Sequence, residues 1–283
     1  MIYPETDARL RPLEVSDLDH LTLAGAQAWL ERLLAESPIE VTIVGDISRE
    51  RAVEFTAAYL GALPKRPRVD PTTYESLRHV KRPVGPRVVE RTIDTPTEQA
   101  YVSVGFYGAD ESNRADARAL NMAARILSMR MVKEVREEAQ LVYSISASSR
   151  AATTYPGFGV FAASAPTDPA KAAALVEKLH AMYDLFASKG PTEEEMTTAK
   201  KQMDNTYAEQ LKDPSFWSGR VGQMTFRGTN LDDVVHEADA YQELTAKQVM
   251  TAFARYCTKD SSIQVVVKPA AGTGAPSKSE GAK

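Results

Sequence analysis

The chain has 283 residues, a formal net charge of -4, 43% hydrophobic residues and 25% charged residues. These values indicate a globular protein with one large or two modest domains. The mild acidity provides no basic face for nucleic acid, and no apolar run approaches the length of a membrane span. We therefore expect neither a nucleic-acid partner nor a membrane partner.

Cys257 is the only cysteine in the sequence, which excludes an internal disulfide and a zinc site made of cysteines. We interpret it as a buried or half-buried thiol near the end of a helix. Residues 1–7 have neither a basic n-region nor an apolar h-region, so no signal peptide is predicted on this chain. The location is left open between the cytoplasm and, if the chain belongs to a longer precursor, the periplasm.

The first elements are predicted from periodicity and capping. Residues 22–35 are predicted to form a helix, because Thr22 is a suitable N-cap and apolar residues recur at helical spacing. Residues 39–44 alternate between apolar and polar types, as a half-buried strand does, and Ser48 then caps a second helix. The region 64–87 carries five prolines among basic residues and glycine, which is typical of an extended linker.

After the linker, the patterns predict two strands, a long helix, two strands, three or more helices and a last strand. This order is typical of an α+β domain with helices packed on one face of a mostly antiparallel sheet. The predicted strands cover residues 87–93, 99–107, 141–148, 158–165 and 262–267, and the long helix covers residues 114–138.

A partial repeat links the two ends of the chain. The pattern of residues 22–46 predicts a helix followed by a strand, and the pattern of residues 245–267 predicts the same pair of elements. This repeat predicts that the chain contains the end of one domain and then a second, similar domain. The predicted division is a preceding domain portion over 1–67, a proline-rich linker over 68–87, a complete domain over 88–268 and a disordered tail over 269–283.

Three stretches resemble one family of proteins. They are Leu21–Ala24 with the later Val44-Gly45-Asp46, the passage from Ser128 to Ser144, and Gly190–Met196. Together they resemble, in order, the C-terminal part of M16 metallopeptidases, the group of pitrilysin, insulin-degrading enzyme and mitochondrial processing peptidase. In that family four related α/β domains form two halves around a chamber, and zinc is held in the first domain.

The zinc motif of the family is missing from this sequence. M16 peptidases bind zinc through His-x-x-Glu-His on a helix, where the Glu acts as general base on the bound water. The four histidines are far apart in sequence, and neither the forward nor the inverted motif occurs: His20, His79, His180 and His236. We therefore expect this chain to bind no cofactor and to be inactive alone, with zinc in a separate catalytic half.

Two residues match family positions that reach the substrate. Tyr143 lies seven residues after Arg136, and the resemblance implies that Arg136 orients the substrate while Tyr143 supports the transition state. An Arg can hold a carbonyl or carboxylate with two donors, and a Tyr hydroxyl can donate to an oxyanion. The simpler interpretations are a solvated Arg136 near a helix end and a Tyr143 packed between Leu141 and Ile145.

The resemblance implies a zinc-free part of an M16-type zinc metalloendopeptidase that forms a wall of the substrate chamber. Its expected partners are a peptide substrate and a half or subunit that contains His-x-x-Glu-His. Two alternatives remain: a non-catalytic structural subunit, or a binding module for extended peptides. An incomplete first domain would also leave an apolar helix face uncovered, so self-association is a further possibility.

Overall fold

The computed structural model describes residues 2–270. Eleven α-helices occur in this range. In chain order they are α1 (Val15–Leu18), α2 (Leu23–Glu36), α3 (Arg49–Leu60), α4 (Glu75–Arg78), α5 (Arg114–Met131), α6 (Ala172–Lys189), α7 (Glu193–Gln210), α8 (Pro214–Arg227), α9 (Leu231–Val235), α10 (Glu237–Gln242) and α11 (Ala246–Tyr256). Short 3-10 turns cover Pro71–Tyr74, Pro169–Lys171 and Lys259–Ser261, and a π-helical segment covers Val132–Glu138.

The described part of the chain divides into two compact units, and neither is a single stretch of sequence. The sheet unit comprises residues 2–4, 78–201 and 243–270, and the helical unit comprises Glu5–Leu77 and Gln202–Gln242. The predicted division at residues 67 and 87 stays a prediction. The predicted disordered tail falls almost wholly outside the described residues.

The sheet unit is built on five strands within the described residues. They are β1 (Arg87–Ile93), β2 (Ala100–Gly108), β3 (Ser146–Arg150), β4 (Gly159–Thr167) and β5 (Ser262–Pro269), in the order β1-β5-β2-β4-β3. The β1–β5 pair is parallel, and the other three pairs are antiparallel. The predicted α+β class with a mostly antiparallel sheet is therefore confirmed.

The core of the sheet unit lies between one face of the sheet and the helices α5, α6 and α11. Phe106 of β2 and Phe161 of β4 are paired in register and stack with ring centroids 4.9 Å apart. The Phe253 ring of α11 stands nearly perpendicular to both, at 5.1 Å and 5.2 Å. Tyr183 of α6 is buried beside them, and its hydroxyl donates to the Val104 carbonyl at 2.9 Å, so its polar atom is satisfied.

Two helix junctions show how local sequence sets the helix starts. Thr192 and Glu195 form the expected reciprocal cap of α7, with hydrogen bonds of 2.8 Å and 3.2 Å. The same Glu195 carboxylate accepts two hydrogen bonds from Arg130 at the end of α5, at 2.6 Å and 2.7 Å. Arg130 also donates to the Gly190 carbonyl at 3.0 Å. One arginine therefore ties the end of α5 to the turn before α7.

The helical unit contains far fewer buried side chains. The helices α1, α2 and α3 bury none of their residues, although α2 begins at the predicted N-cap Thr22. Residues 39–44 are not a strand, so that prediction is wrong. The alternation is present, but in the described residues no neighbouring strand pairs with this segment, and an isolated strand leaves its backbone groups unpaired.

The long helix and the strand after it also differ from the prediction. The α-helical hydrogen bonding ends at Met131 rather than near residue 138, and strand β3 begins at Ser146 rather than at Leu141. The residues between them form the π-helical segment and a tight turn. This is the passage that carries the predicted site residues.

Candidate functional site

The passage from Val132 to Ser144 has an unusual backbone. Its π-helical hydrogen bonds include Ala139 N to Glu134 O at 3.2 Å, and Leu141 N donates to Val135 O at 3.0 Å. Gln140 has φ 51°, a left-handed conformation that non-glycine residues seldom adopt. π-Helical segments are rare in proteins, and those that occur are often found at functional sites. A strained backbone conformation persists only where the surrounding structure enforces it.

Contacts on both sides hold this turn in place. The Thr167 hydroxyl donates to the Leu141 carbonyl at 2.7 Å, and the Lys171 ammonium donates to the Gln140 carbonyl at 2.9 Å. Val142 forms an isolated bridge with Thr167, and the Val135 side chain is buried. The strained turn is thus anchored to the end of β4 and the start of the next helix.

Tyr143 lies between buried neighbours but is itself exposed. Val142 and Ile145 are buried, whereas the Tyr143 side chain is 91% exposed. The interpretation of Tyr143 as a packed strand residue is therefore wrong, because the residue belongs to the turn before β3 and faces solvent. A large aromatic side chain held on an anchored turn is available to contact a ligand.

Arg136 sits in the last turn of the π-helical segment. Its guanidinium donates to the neighbouring Glu137 carboxylate at 3.0 Å, and both side chains are largely solvent-accessible. An exposed pair of this kind contributes little to stability, so Arg136 can exchange Glu137 for another acceptor. The structure places Arg136 and Tyr143 on one short anchored passage, and their roles stay a prediction.

Edge strand β3 follows this passage, and α5 covers part of its free edge. The Ser128 hydroxyl accepts from the Ala147 N–H at 2.9 Å, and its own hydrogen has the Ala124 carbonyl at 2.8 Å as a nearer acceptor than the Ala147 carbonyl at 3.2 Å. The Ala147 N–H is therefore occupied by a side chain. A peptide could not pair with Ala147 as an added strand unless Ser128 moved away.

The comparison with known protein families identifies the family of this chain. The profile described as "Peptidase M16 inactive domain" matches residues 20–203, which is more than half of the chain. The chain belongs to the M16 inactive-domain family. The comparison with curated proteins found no match.

Solved structures agree with this fold. The chain is similar to a peptidase M16 inactive domain from Pseudomonas fluorescens, with a TM-score of 0.72 and 22% identity over 93% of this chain and 61% of that one. It is also similar to a ferredoxin protease in complex with Arabidopsis ferredoxin (TM-score 0.66, 14% identity, 92% and 28% coverage). A periplasmic protease from Escherichia coli gives a TM-score of 0.65 and 20% identity, with 93% and 29% coverage. The chain thus spans less than two thirds of the length of each of these three proteins.

The zinc of catalytic M16 domains does not fit the residues of this chain. Within residues 2–270, no three His, Cys, Asp or Glu side chains come together in a group that could hold a metal ion. His180 contacts the Gln264 side chain at 3.1 Å, and the His236 ring contacts the Asp232 carbonyl at 3.0 Å.

Cys257 is placed as expected, at the C-terminal end of α11. Burial raises the pKa of its thiol to about 12, and the negative charge of Asp184 adds to this effect. Because the thiolate is the nucleophilic form, the raised pKa disfavours Cys257 as a nucleophile near neutral pH. No helix in the described part of the chain is both long and apolar enough to cross a membrane.

Sequence reasoning located the passage but missed its geometry. The π-helical hydrogen bonds, the left-handed Gln140 and the Ser128 contact to Ala147 were not predicted. The turn at Gln140 is held by Thr167 and Lys171, and Ser128 contacts Ala147 nineteen residues away, so no local sequence pattern predicts these two features. The only available signal was the family resemblance of residues 128–144.

Proposed function

We propose that this chain is the zinc-free part of an M16 zinc metalloendopeptidase and forms one wall of its substrate chamber. Peptide hydrolysis is carried out by a partner half or subunit that contains His-x-x-Glu-His and holds the zinc. Membership of the M16 inactive-domain family and the absence of a His-x-x-Glu-His sequence support this proposal. The similar structures include proteases, one of them described in complex with a protein.

In this proposal Arg136 and Tyr143 act on the substrate and the zinc site activates the water. The Tyr143 hydroxyl donates a hydrogen bond to the oxygen that gains negative charge in the transition state. The Arg136 guanidinium holds a substrate carbonyl or carboxylate. The observation that carries these roles is the 91% exposure of Tyr143 on a strained and anchored turn.

The test is peptide cleavage by this chain mixed with an M16 polypeptide of the same organism that contains His-x-x-Glu-His. Removing the hydroxyl in Tyr143→Phe is expected to lower kcat about 10²-fold or more, as loss of an oxyanion donor does. Arg136→Gln is expected to raise KM more than it lowers kcat, since it removes binding shared by substrate and transition state. The matched controls are Tyr101→Phe and Arg91→Gln, two exposed residues of the sheet, which should leave both constants unchanged.

The same assay separates the two alternatives. A structural subunit would form the assembly, and the activity of the assembly would not respond to Tyr143→Phe or Arg136→Gln. A peptide-binding module would bind an unfolded peptide without any partner, which fluorescence anisotropy would detect. The Ala147 N–H on β3, which already donates to the Ser128 hydroxyl, argues against strand addition at that edge.

A further inference from the structure

The strand pairing around Tyr143 contains an offset of one residue. Ser146 of β3 pairs with Ser164 of β4. The bridge that precedes this pair joins Val142 to Thr167. Three residues lie between the two contacts on the β3 side, and only two lie between them on the β4 side. The extra residue makes this stretch a β-bulge, a feature that is over-represented next to active sites.

The burial of the neighbouring side chains shows the same offset. Val142 and Ile145 are both buried, although they are three residues apart. In a regular strand successive side chains alternate between the two faces, so residues three apart point to opposite faces. In the regular register Tyr143 would lie opposite Thr167, on the same face as the buried Ile145. The offset gives that place to Val142 and leaves Tyr143 in solvent.

Pro166 of β4 provides a physical reason for the offset. The Ala147 N–H donates to Ser128, so Ser146 is the residue that presents its backbone groups to β4. The same alternation in a regular ladder would set the backbone of Ser144 against Pro166. Proline has no N–H to donate, and within sheets it is found at edges and at bulges. The sequence of β4 therefore favours a bulge at this place.

Two side chains hold the backbone that leads into the bulge. The Thr167 hydroxyl donates to the Leu141 carbonyl at 2.7 Å, and Thr167 itself is buried. The Lys171 ammonium donates to the Gln140 carbonyl at 2.9 Å from an exposed position. Gln140 has the left-handed φ of 51°, so both acceptors belong to the strained turn. Removing either donor frees the segment before Tyr143 while the apolar core stays intact.

We propose that Thr167 and Lys171 are positioning residues for Tyr143, acting through the bulge that directs its side chain out of the core. In this role they contact neither the substrate nor the zinc. They fix the place of the Tyr143 hydroxyl, because a misplacement of about 1 Å in an active site can lower the rate about 10²-fold. This inference rests on the proposed function, in which that hydroxyl donates to the oxyanion, and adds the residues that set its position.

The hydroxyl of Thr167 is tested with two substitutions in the peptide-cleavage assay of the mixed polypeptides. Thr167→Val keeps the shape of the side chain but should lower kcat about 10-fold, and Thr167→Ser, which keeps the hydroxyl, should restore most of it. KM should change less than about 2-fold, because Arg136 lies before the turn. Thr197→Val on α7 is the matched control, since it also removes a hydroxyl bond to a backbone carbonyl, at 2.8 Å, and should leave kcat unchanged.

The ammonium of Lys171 is tested in the same assay. Lys171→Met removes the donor and should lower kcat by a smaller factor than Thr167→Val, because exposed hydrogen bonds of charged groups contribute less than buried ones. Lys171→Arg keeps a charged donor and should restore kcat. Lys189→Met, at the exposed end of α6, removes the same charge without this contact and serves as the control.

A double-mutant cycle separates positioning from a general structural role. A residue that acts only through the Tyr143 hydroxyl has no further effect once that hydroxyl is absent. Thr167→Val should therefore lower the kcat of Tyr143→Phe by less than about 2-fold. Equal factors in the two backgrounds would overturn the proposal, because they would show that Thr167 acts on activity independently of Tyr143.

Deleting Ser144 tests the bulge itself. The deletion removes the extra residue, keeps Val142 opposite Thr167 and moves the Tyr143 side chain to the face of the sheet that carries Ser146. The variant should keep the circular dichroism of the unchanged chain, while its kcat falls to the level of Tyr143→Phe. A folded deletion variant with unchanged kcat would contradict the proposal.

The results for Tyr143 distinguish this inference from the proposed function. If Tyr143→Phe lowers kcat while Thr167→Val and Lys171→Met leave it unchanged, the positioning roles are wrong and the proposed function stands. If Tyr143→Phe has no effect on kcat, both proposals fail.

Discussion

The sheet unit and the helical unit differ most in how much of their apolar surface is covered. In the sheet unit a connected set of aromatic rings is almost fully buried: Phe106, Phe161, Tyr183, Phe186 and Phe253. In the helical unit Met203 and Tyr241 are buried, while Leu23, Trp29 and Leu34 of a single helix remain exposed. Several large apolar side chains exposed on one helix are more typical of an interface than of a free monomer face.

The two copies of the repeated helix-and-strand element, in residues 22–46 and 245–267, show why burial cannot be read from local sequence. Thr22 and Thr245 cap their helices in the same way, and the apolar spacing that follows is similar. Within residues 2–270, only the second copy has neighbouring strands that pair with its extended segment. A strand is thus a property of its neighbours as much as of its own residues.

The largest expected difference in stability is between truncating Phe253 of α11 and truncating the equivalent residue of α2, Leu30, when Thr22 is aligned with Thr245. Phe253→Ala should reduce the free energy of unfolding of the sheet unit by about 3–5 kcal/mol, because it leaves a cavity among packed rings. Leu30→Ala should change stability by less than about 1 kcal/mol, because its side chain is half exposed. Urea unfolding followed by circular dichroism, with exchange of the β2 amides as a readout specific to the sheet unit, measures both. Equal losses would show that α2 is buried in solution.

The α+β class and most element bounds were predictable, because caps and periodicity are local. The helix starts at Thr22, Thr192 and Thr245 were predicted and are confirmed by their hydrogen bonds. The strand at 39–44 was wrong because a ladder requires a partner that the sequence window does not contain. Arg136 was picked out by resemblance, and no physical pattern in the sequence would have selected it.

The anchored turn before β3 shows a second feature that could not be predicted from the sequence. Its left-handed Gln140 is held by Thr167 and Lys171, which follow it by more than twenty residues. A strand could be predicted to begin near Leu141 because the local residues favour it. Tertiary hydrogen bonds overrode that preference and left Tyr143 exposed.

Substitutions of glycine by alanine test the difference in packing density between the sheet unit and the helical unit. At Gly105 of β2 an added Cβ would meet the Phe161 carbonyl oxygen and, at 2.8 Å, the Ala162 Cβ. Gly105→Ala should therefore destabilise the sheet unit by about 1–3 kcal/mol. At Gly219 in α8 an added Cβ meets nothing within 4 Å, so Gly219→Ala should stabilise that helix by about 0.5–1 kcal/mol. Opposite signs in thermal or urea unfolding are expected, and a stabilising Gly105→Ala would contradict the packed arrangement of β2 and β4.

The smallest expected effect on stability distinguishes the mostly buried Arg130–Glu195 ion pair from the exposed Lys212–Glu209 pair. The Arg130 hydrogen bonds hold the pKa of Glu195 below its ordinary value, with both side chains mostly buried. The Lys212–Glu209 pair in the helical unit, at 2.8 Å, is largely exposed. Glu195→Gln should cost about 1–2 kcal/mol at pH 7, whereas the matched Glu209→Gln should stay within about 0.5 kcal/mol.

The lowered pKa of Glu195 determines in which direction the free energy of unfolding changes with pH. A carboxylate with a lowered folded pKa binds fewer protons in the folded state than in the unfolded state in the acidic range. Its stabilisation is therefore complete above the unfolded pKa of about 4.3 and is lost as pH falls through the folded pKa. Urea midpoints measured from pH 7 down to pH 3 should fall less steeply for Glu195→Gln than for the unchanged chain. Parallel curves would mean that Arg130 does not pair with Glu195 in solution, and the contact between α5 and the turn before α7 would then rest on the bond from Arg130 to the Gly190 carbonyl.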